Sequence, residues 1–504
     1  MVKQLQGGKL PGAYAYGFYH FIIDEAQYDK IAIMSKNFYI TTTLPYVNAE
    51  PHIGFALEIV QADVIARYHK GLGEKVVFNF GTDEHGQKIY QKALEENKDP
   101  QTYCDEYAKK FDALKVALNL SYTHFIRTTD PHHIVAAQEF WKLCYKNGFI
   151  YKKNYKQKYC VGCELEKSDS ELVDGKCPIH PTGEIQLIEE ENYFFKFSEF
   201  QKKLLKYYED NPNFVIPEGK FKEIKTFVTD GLQDFSISRL KKKMPWGIDV
   251  PGDSEQVMYV WFDALINYIS TLGWPENKEN YENFWPGIQI AGKDNLRQQT
   301  AIWQAMLMAA GLANSRQVFI HGFINVDGQK ISKSLGNAIN PIELVGKYGT
   351  DAVRYFILAK LNPYEDSDFT YQKFEEAYNS DLANGLGNLV ARVAKLAENS
   401  GFEFEFSKPS HYERVVDQIN SYRFDLAMYA IWARIMVLNQ EINTEEPWKK
   451  EGEELKESLS HMISEINKIA YNLKPFLPET AEKIEKQFSR PKIKSAESLF
   501  PRLK

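Results

Sequence analysis

The sequence predicts an α/β fold in which a doubly wound parallel sheet is split by an insertion and followed by an all-α helix bundle. Three patterns carry this expectation: a strand–helix–strand unit opening near Phe38, a lysine- and tyrosine-rich interruption holding three of the five cysteines, and helical periodicity from Asp381 onward. The chain has 504 residues, 44% hydrophobic and 26% charged, enough to build several packed domains. Its net charge of −7 is not that of a general nucleic-acid coat, so any contact with a polyanion must come from a local basic patch. Three cysteines crowded between Cys160 and Cys177 do not make a disulfide framework, which implies a reducing compartment. There is no apolar run of membrane-spanning length and no apolar signal core near the start, so a cytoplasmic protein without a membrane span is expected.

Taken in order, residues 1–33 form a glycine- and tyrosine-containing leader ahead of Met34-Ser35-Lys36, which reads as a natural start. The β-branched run from Phe38 to Thr43 is a buried strand. Leu57, Val60, Val64 and Tyr68 then keep helical spacing up to Gly71, and Val76 to Phe80 is the next strand. Such a βαβ unit opens a Rossmann-like sheet, whose ligands bind beyond the C-terminal ends of its strands. Residues 34–150 are thus the first half of this domain and 151–252 the insertion. Residues 253–325 supply the second half, with strands at Ile288–Ile290 and Val318–Ile320 and an amphipathic helix through Leu296, Ile302 and Leu307 between them. Residues 326–380 hold a lysine loop. Residues 381–504 form the bundle, with Leu426, Ala430, Ile431, Ile435, Leu438 and Ile442 on one stripe.

Chemistry concentrates in three places. His52-Ile53-Gly54 lies between the first strand and its helix, where free backbone amides and the positive helix end favour phosphate. Lys330-Ile331-Ser332-Lys333-Ser334 presents two ammonium groups and several hydroxyls, able to clamp a polyphosphate. Either motif alone is more often a capping loop or a solvated lysine pair. Cys160-Val161-Gly162-Cys163 and Cys177-Pro178-Ile179-His180, thirteen residues apart, offer three thiolates and one imidazole for one tetrahedral zinc; a closed four-ligand shell makes that metal structural.

An HxG at the first strand and a KxSKS after the last, in that order, resemble the two signatures of class I aminoacyl-tRNA synthetases. With the cysteine knuckles and the intervening Gly81–Gly86, Asp234–Arg239, Tyr259–Ala264 and Gly292–Asn295 motifs, the chain from about Met34 to Lys504 resembles methionyl-tRNA synthetases. That resemblance implies a ligase that activates methionine with ATP and Mg²⁺ and esterifies it onto tRNA. It implies a methionine pocket of Leu44, Tyr46, Asp83, Trp261, Ala264, Tyr268, Gln299 and Trp303, with Asp83 receiving the ammonium group. It implies ATP contacts from His52, Gly54, Lys330, Ser332 and Lys333, with Arg239 as an additional catalytic contact. In the bundle it implies anticodon contacts from Asn388, Arg392 and Trp448, and residues 326–380 become the stem-contact region. Two positions depart from the family pattern: Phe55 replaces the second signature histidine, and Gln299 stands where many members carry a pocket histidine. These departures motivate a non-catalytic tRNA-binding paralogue as the alternative, while the short insertion argues against the related synthetases with large editing domains. Because the sequence stops directly after the bundle, a monomer is expected.

Overall fold

The computed structural model describes residues 37–163, 165–167, 169–331 and 336–503. The leader and Ser332 to Leu335 lie outside the described residues. Asn37 to Lys504 form one compact unit.

The opening βαβ unit is β1 (Asn37–Thr42), α1 (Ile53–Gly71) and β2 (Lys75–Thr82), followed by β3 (His124–Arg127). The insertion begins with a hairpin of two eleven-residue antiparallel strands, β4 (Ile150–Cys160) and β5 (Ile185–Phe195). It then supplies β6 (Val215–Ile216). The sheet is completed by β7 (Ile288–Gly292) and β8 (Gln317–His321), with α2 (Trp303–Ala310) between them. The central sheet is parallel throughout, in the order β3-β2-β1-β7-β8-β6. The order therefore reverses between β1 and β7, the switch point at which doubly wound sheets bind ligands.

Both faces of the sheet are covered. Phe38 and Ile40 of β1 enter one apolar core with α1, while Tyr39 between them enters a second core with Phe140, Trp141 and Trp303. Burial on both sides explains why β1 reads as a continuous apolar run without polar alternation.

Two differences from the sequence expectation stand out here. The edge strand β6 lies within the insertion, so the interruption hands one strand back to the sheet it divides. The single amphipathic helix expected between β7 and β8 instead begins with a π-helical segment, Gln298–Ile302, before α2. Wider turns of this kind commonly accompany functional sites.

Beyond β8, α3 (Thr350–Ala359) leads to the helices α4 (Asn388–Ser400), α5 (Phe424–Glu445), α6 (Gly452–Leu473) and α7 (Pro478–Phe488). The helical pattern is not continuous: Gly401, at φ 69°, ends α4, and the stretch after it runs irregularly to Tyr412. That stretch meets the irregular tail, where Phe404 N–H donates to the Pro491 carbonyl at 3.0 Å. None of the helices among the described residues is long and apolar enough to cross a membrane.

Candidate active site

At the switch point, His52 caps the N-terminus of α1 with extended backbone, and its Nδ1 accepts the Gly54 N–H at 3.1 Å. An imidazole nitrogen that accepts is unprotonated, so the ring proton sits on Nε2 and His52 is a donor there. Gly54 is required for this fold-back, because a Cβ on it would lie 2.9 Å from His52 Cε1. Phe55 stacks on the His52 ring at 4.3 Å and meets Phe111 edge-on at 5.4 Å. The position that lacks the second signature histidine thus holds the first one in place.

Next to the cap, Glu58 ties three elements together. Its Oε1 accepts from Thr43 N–H at 2.7 Å and from the Thr43 hydroxyl at 2.6 Å, and its Oε2 meets His321 Nε2 at 2.9 Å. Asp294 stands beside this pair at the end of β7. The residue keeps contact with solvent at the crevice mouth, yet the protein crowded around its carboxyl weakens solvation and pushes it above the usual range; Glu58 adds to this, and His321 and Lys330 oppose it. The Lys330 charge therefore reaches the same crevice. Its ammonium lies 5.7 Å from the Phe323 ring centre, and its carbonyl accepts from Asn337 Nδ2. Ser332 and Lys333 fall outside the described residues.

On the β2 side, the chain beyond β1 pairs again with the chain beyond β2. Asp83 N–H donates to the Pro45 carbonyl at 3.0 Å and Val47 N–H to the Asp83 carbonyl at 3.2 Å, so the Leu44-Pro45-Tyr46 segment runs beside Asp83. Asp83 is buried and Leu44 half-buried, while the Tyr46 hydroxyl donates to the His85 carbonyl. Asp263, wholly buried between Trp261 and Ala264 in sequence, faces His85 Nδ1 at 2.8 Å and His133 Nε2 at 3.1 Å. Burial acts to raise its carboxyl, but the two imidazoles outweigh it and hold Asp263 below the usual range. This network joins the Asp83 segment to the helix that carries Trp261 and Ala264.

Behind these lie the aromatic residues. The Tyr268 hydroxyl accepts from Gln299 Nε2 at 2.7 Å, and its ring meets Trp303 edge-on at 5.8 Å. Trp303 is fully buried, whereas Trp261 is half-buried; neither indole N–H has an acceptor among the described residues. Arg239 is buried between the rings of Tyr159 and Tyr259 and bonds Ser236 Oγ and the Ser238 carbonyl at 2.8 Å each. It lines a cavity of about 320 Å³ together with Tyr259 and Trp261, on the insertion side of the pocket.

Cys160, Cys163, Cys177 and His180 bring their four ligand atoms within 4.8 Å of one another. Cys163 Sγ lies 3.4 Å from Cys177 Sγ and 3.2 Å from His180 Nδ1, close to the ~3.8 Å edge of a tetrahedron with ~2.3 Å zinc–sulfur bonds. Gly162 makes the packing possible, since a Cβ there would sit 2.5 Å from His180 Cγ. The donor set fits zinc.

In the bundle, Asn388 is exposed at the start of α4, Arg392 donates to Asn443 Oδ1 at 2.9 Å, and Trp448 is 52% exposed. Asn443 is five residues before Trp448, so Arg392 and Trp448 both lie toward the C-terminal end of α5.

Sequence reasoning did not assign roles to Glu58, His321, Asp263 or Asp294. Asp294 lies in a motif that was recognised, but Glu58 and His321 acquire meaning only through a contact 263 residues apart in sequence.

A parallel switch-point crevice with an HxG-capped helix, in a chain that carries a KxSKS motif after its last sheet strand, defines a class I aminoacyl-tRNA synthetase. The family described as "tRNA synthetases class I (M)" matches residues 38–187 and 182–394. A methionine–tRNA ligase of Thermotoga maritima is 41% identical over 488 residues, covering 92% of this chain and 77% of that protein. One of Thermosynechococcus vestitus is 40% identical, covering 90% of each. The crystal structure of Mycobacterium tuberculosis methionyl-tRNA synthetase bound by methionyl-adenylate superposes with a TM-score of 0.87 at 33% identity, over 92% of this chain and all of that one. The chain belongs to the methionine–tRNA ligase family of class I tRNA synthetases.

Proposed function

We propose that this chain activates L-methionine with ATP to methionyl-adenylate and pyrophosphate, then transfers methionine to the terminal adenosine of its tRNA. The observation that carries the reading is the convergence at one switch point of the His52 cap, Asp294 and the Lys330 charge, in a chain about nine-tenths alignable to methionine–tRNA ligases.

In the first step the methionine carboxylate attacks the α-phosphorus in line and pyrophosphate leaves. No protein nucleophile is needed, so catalysis consists of positioning and charge stabilisation. His52 Nε2–H and the α1 amides receive phosphate oxygens, with Gly54 allowing close approach. Lys330, Lys333 and Ser332 meet the β and γ oxygens as charge moves onto the leaving group. Arg239, bound to Ser236 and Ser238, acts from the pocket wall. Asp83 takes the methionine ammonium, and Leu44, Tyr46, Trp261, Ala264, Tyr268, Gln299 and Trp303 enclose a thioether that favours aromatic edges. Mg²⁺ entering with ATP would offset phosphate charge. Cys160, Cys163, Cys177 and His180 would hold one structural zinc at the tip of the insertion. In the second step a ribose hydroxyl of the tRNA attacks the adenylate, while Asn388, Arg392 and Trp448 hold the anticodon. The chain works as a cytoplasmic monomer, with 34–150 and 253–325 as the two catalytic halves, 151–252 inserted between them, 326–380 against the tRNA stem and 381–504 as the anticodon bundle; residues 1–33 are dispensable for adenylation.

ATP–pyrophosphate exchange run separately with each of the twenty amino acids tests the reading. Exchange should depend on methionine, and Lys333→Ala should lower it about a hundredfold or more. Exchange that is absent from the parent, or undiminished in Lys333→Ala, would overturn the assigned chemistry; a chain that binds tRNA without exchange would be the non-catalytic paralogue.

A further inference from the structure

We propose that Tyr159, on the long insertion hairpin, is a positioning residue for adenylation: its ring face holds the Arg239 guanidinium in the pocket wall, ready for the charge that develops there. The inference rests on the reading of Arg239 as a catalytic contact.

Arg239 stands on a three-residue strand, Ser238–Leu240, opposite Val257 of the antiparallel strand Asp253–Met258. Tyr259, two residues past Val257, is its diagonal neighbour across this pair, with the ring centre 4.7 Å from the guanidinium carbon. Tyr259 is held in turn: its N–H donates to the Ile237 carbonyl at 2.8 Å, and it occupies the N-cap position of the helix that carries Trp261 and Ala264. Those contacts are local, whereas Tyr159 reaches Arg239 from a distant part of the sequence. It is the next-to-last residue of β4, opposite Gln186 of β5, and its ring centre lies 5.1 Å from the same guanidinium carbon. All three side chains are buried.

Both rings are within the range at which an aromatic face attracts a cation, and burial removes the water that would otherwise compete for the charge. Ser236 Oγ and the Ser238 carbonyl fix one nitrogen of the guanidinium, Nη1. The rings restrict where the rest of it can go. This matters because Arg239 lines two cavities. One, of about 320 Å³, has Trp261 in its wall; the other, of about 120 Å³, is lined by Tyr159, Lys243 and Glu190. Glu190 is buried and accepts from Lys243 at 2.7 Å, so the second cavity holds a carboxylate that competes for the guanidinium. Removing the Tyr159 ring gives Arg239 room on that side and withdraws one of its two aromatic partners. A cation that has moved off must be brought back during the reaction, while one already in place costs no reorganisation.

The single-turnover rate constant for methionyl-adenylate formation, measured without tRNA, tests the role, since it does not depend on the folded fraction of a preparation. Tyr159→Leu should lower it roughly fivefold to thirtyfold, the worth of one buried cation–π contact, with half-saturating methionine and ATP near the parental concentrations. Tyr159→Phe keeps the ring and should stay near the parent. In an Arg239→Gln background Tyr159→Leu should cost nothing further, because the cation that the ring holds is gone. Phenylalanines carrying one, two and three ring fluorines at position 159 keep the shape while drawing electron density from the face, so the rate constant should fall step by step. If Tyr159→Leu does not fold, this series decides. A flat series, or a Tyr159→Leu cost that is the same with and without Arg239, would overturn the positioning role alone when Arg239→Gln is itself slow. A parental rate constant in Arg239→Gln would overturn that role together with the catalytic reading of Arg239.

Discussion

His321 faces an acceptor with each ring nitrogen: the Gly322 carbonyl lies 2.7 Å from Nδ1 and Glu58 Oε2 lies 2.9 Å from Nε2. A carbonyl can only accept, and the other Glu58 oxygen is held by Thr43, so the arrangement favours an imidazolium beside a carboxylate. Burial acts to lower the His321 pKa, but the bond and charge of Glu58, with Asp294 behind it, outweigh burial and raise it. A raised folded-state value stabilises fully below the unfolded value of about 6.5 and is lost as pH climbs through the folded value. His321→Gln should therefore destabilise by about 1.5–3 kcal/mol near pH 6, and by less as pH rises above the ordinary histidine range. Melting temperatures of parent and variant across pH check this; a gap equally wide near pH 9 would show a neutral His321. At this scale the sequence was legible where a motif groups residues that the fold then brings together, as with His52 at its helix cap and Cys160, Cys163, Cys177 and His180 in one cluster. Glu58 and His321 carried no local signal, because a lone histidine in an apolar strand looks the same whether it braces a crevice or merely fills a core.

Among elements, β1, α1, β2, β7 and β8 were legible because their apolar runs match a two-sided sheet, whereas β6 was not. Two residues, Val215 and Ile216, carry no periodicity, and only the approach of β8 makes them a strand. The π-helical segment was hidden for a related reason: Leu296, Ile302 and Leu307 fit an ordinary helical stripe, and the wider turn shows only in the backbone bonding. The knuckle was legible because metal ligation depends on spacing. Its four ligands close one end of the long β4–β5 hairpin, and little apolar core supports that tip: Leu187 is exposed, and so is Ile179 beside His180. The metal should therefore contribute directly to the order of this element. Protein purified without chelator should hold one zinc per chain. Cys163→Ser should lose most of the metal and melt at a lower temperature; an unchanged melting curve with zinc retained would remove the structural role.

At the scale of the whole molecule, the crevice and the bundle are linked within the chain itself. Arg354 of α3 is fully buried: its Nη1 lies 2.8 Å from Asp63 Oδ2 of α1, and its Nε and Nη2 donate to the Phe476 and Pro475 carbonyls between α6 and α7. The helix capped by His52 is thus joined through one guanidinium to the helices of the bundle. The proposed anticodon contact Trp448 is of a different kind: at 52% exposure it has little packing to lose, and an exposed tryptophan plane suits unstacked bases. Trp448→Ala should leave methionine-dependent pyrophosphate exchange and melting temperature near the parent. Losing a base-stacking plane is worth about 1–3 kcal/mol, so charging of methionine tRNA should fall roughly tenfold to a hundredfold. Arg354→Met supplies the contrast. It leaves Asp63 with Arg67 as its remaining guanidinium partner and frees three carbonyls, those of Leu118, Pro475 and Phe476, so it should lower the melting temperature, at a cost of about 1–3 kcal/mol for each buried carbonyl left unpaired, and reduce exchange and charging together. Thermal melting beside both assays distinguishes the outcomes. If Trp448→Ala charges tRNA at the parental rate, the bundle reads the anticodon with other residues; if it melts like Arg354→Met, its exposed ring is structural.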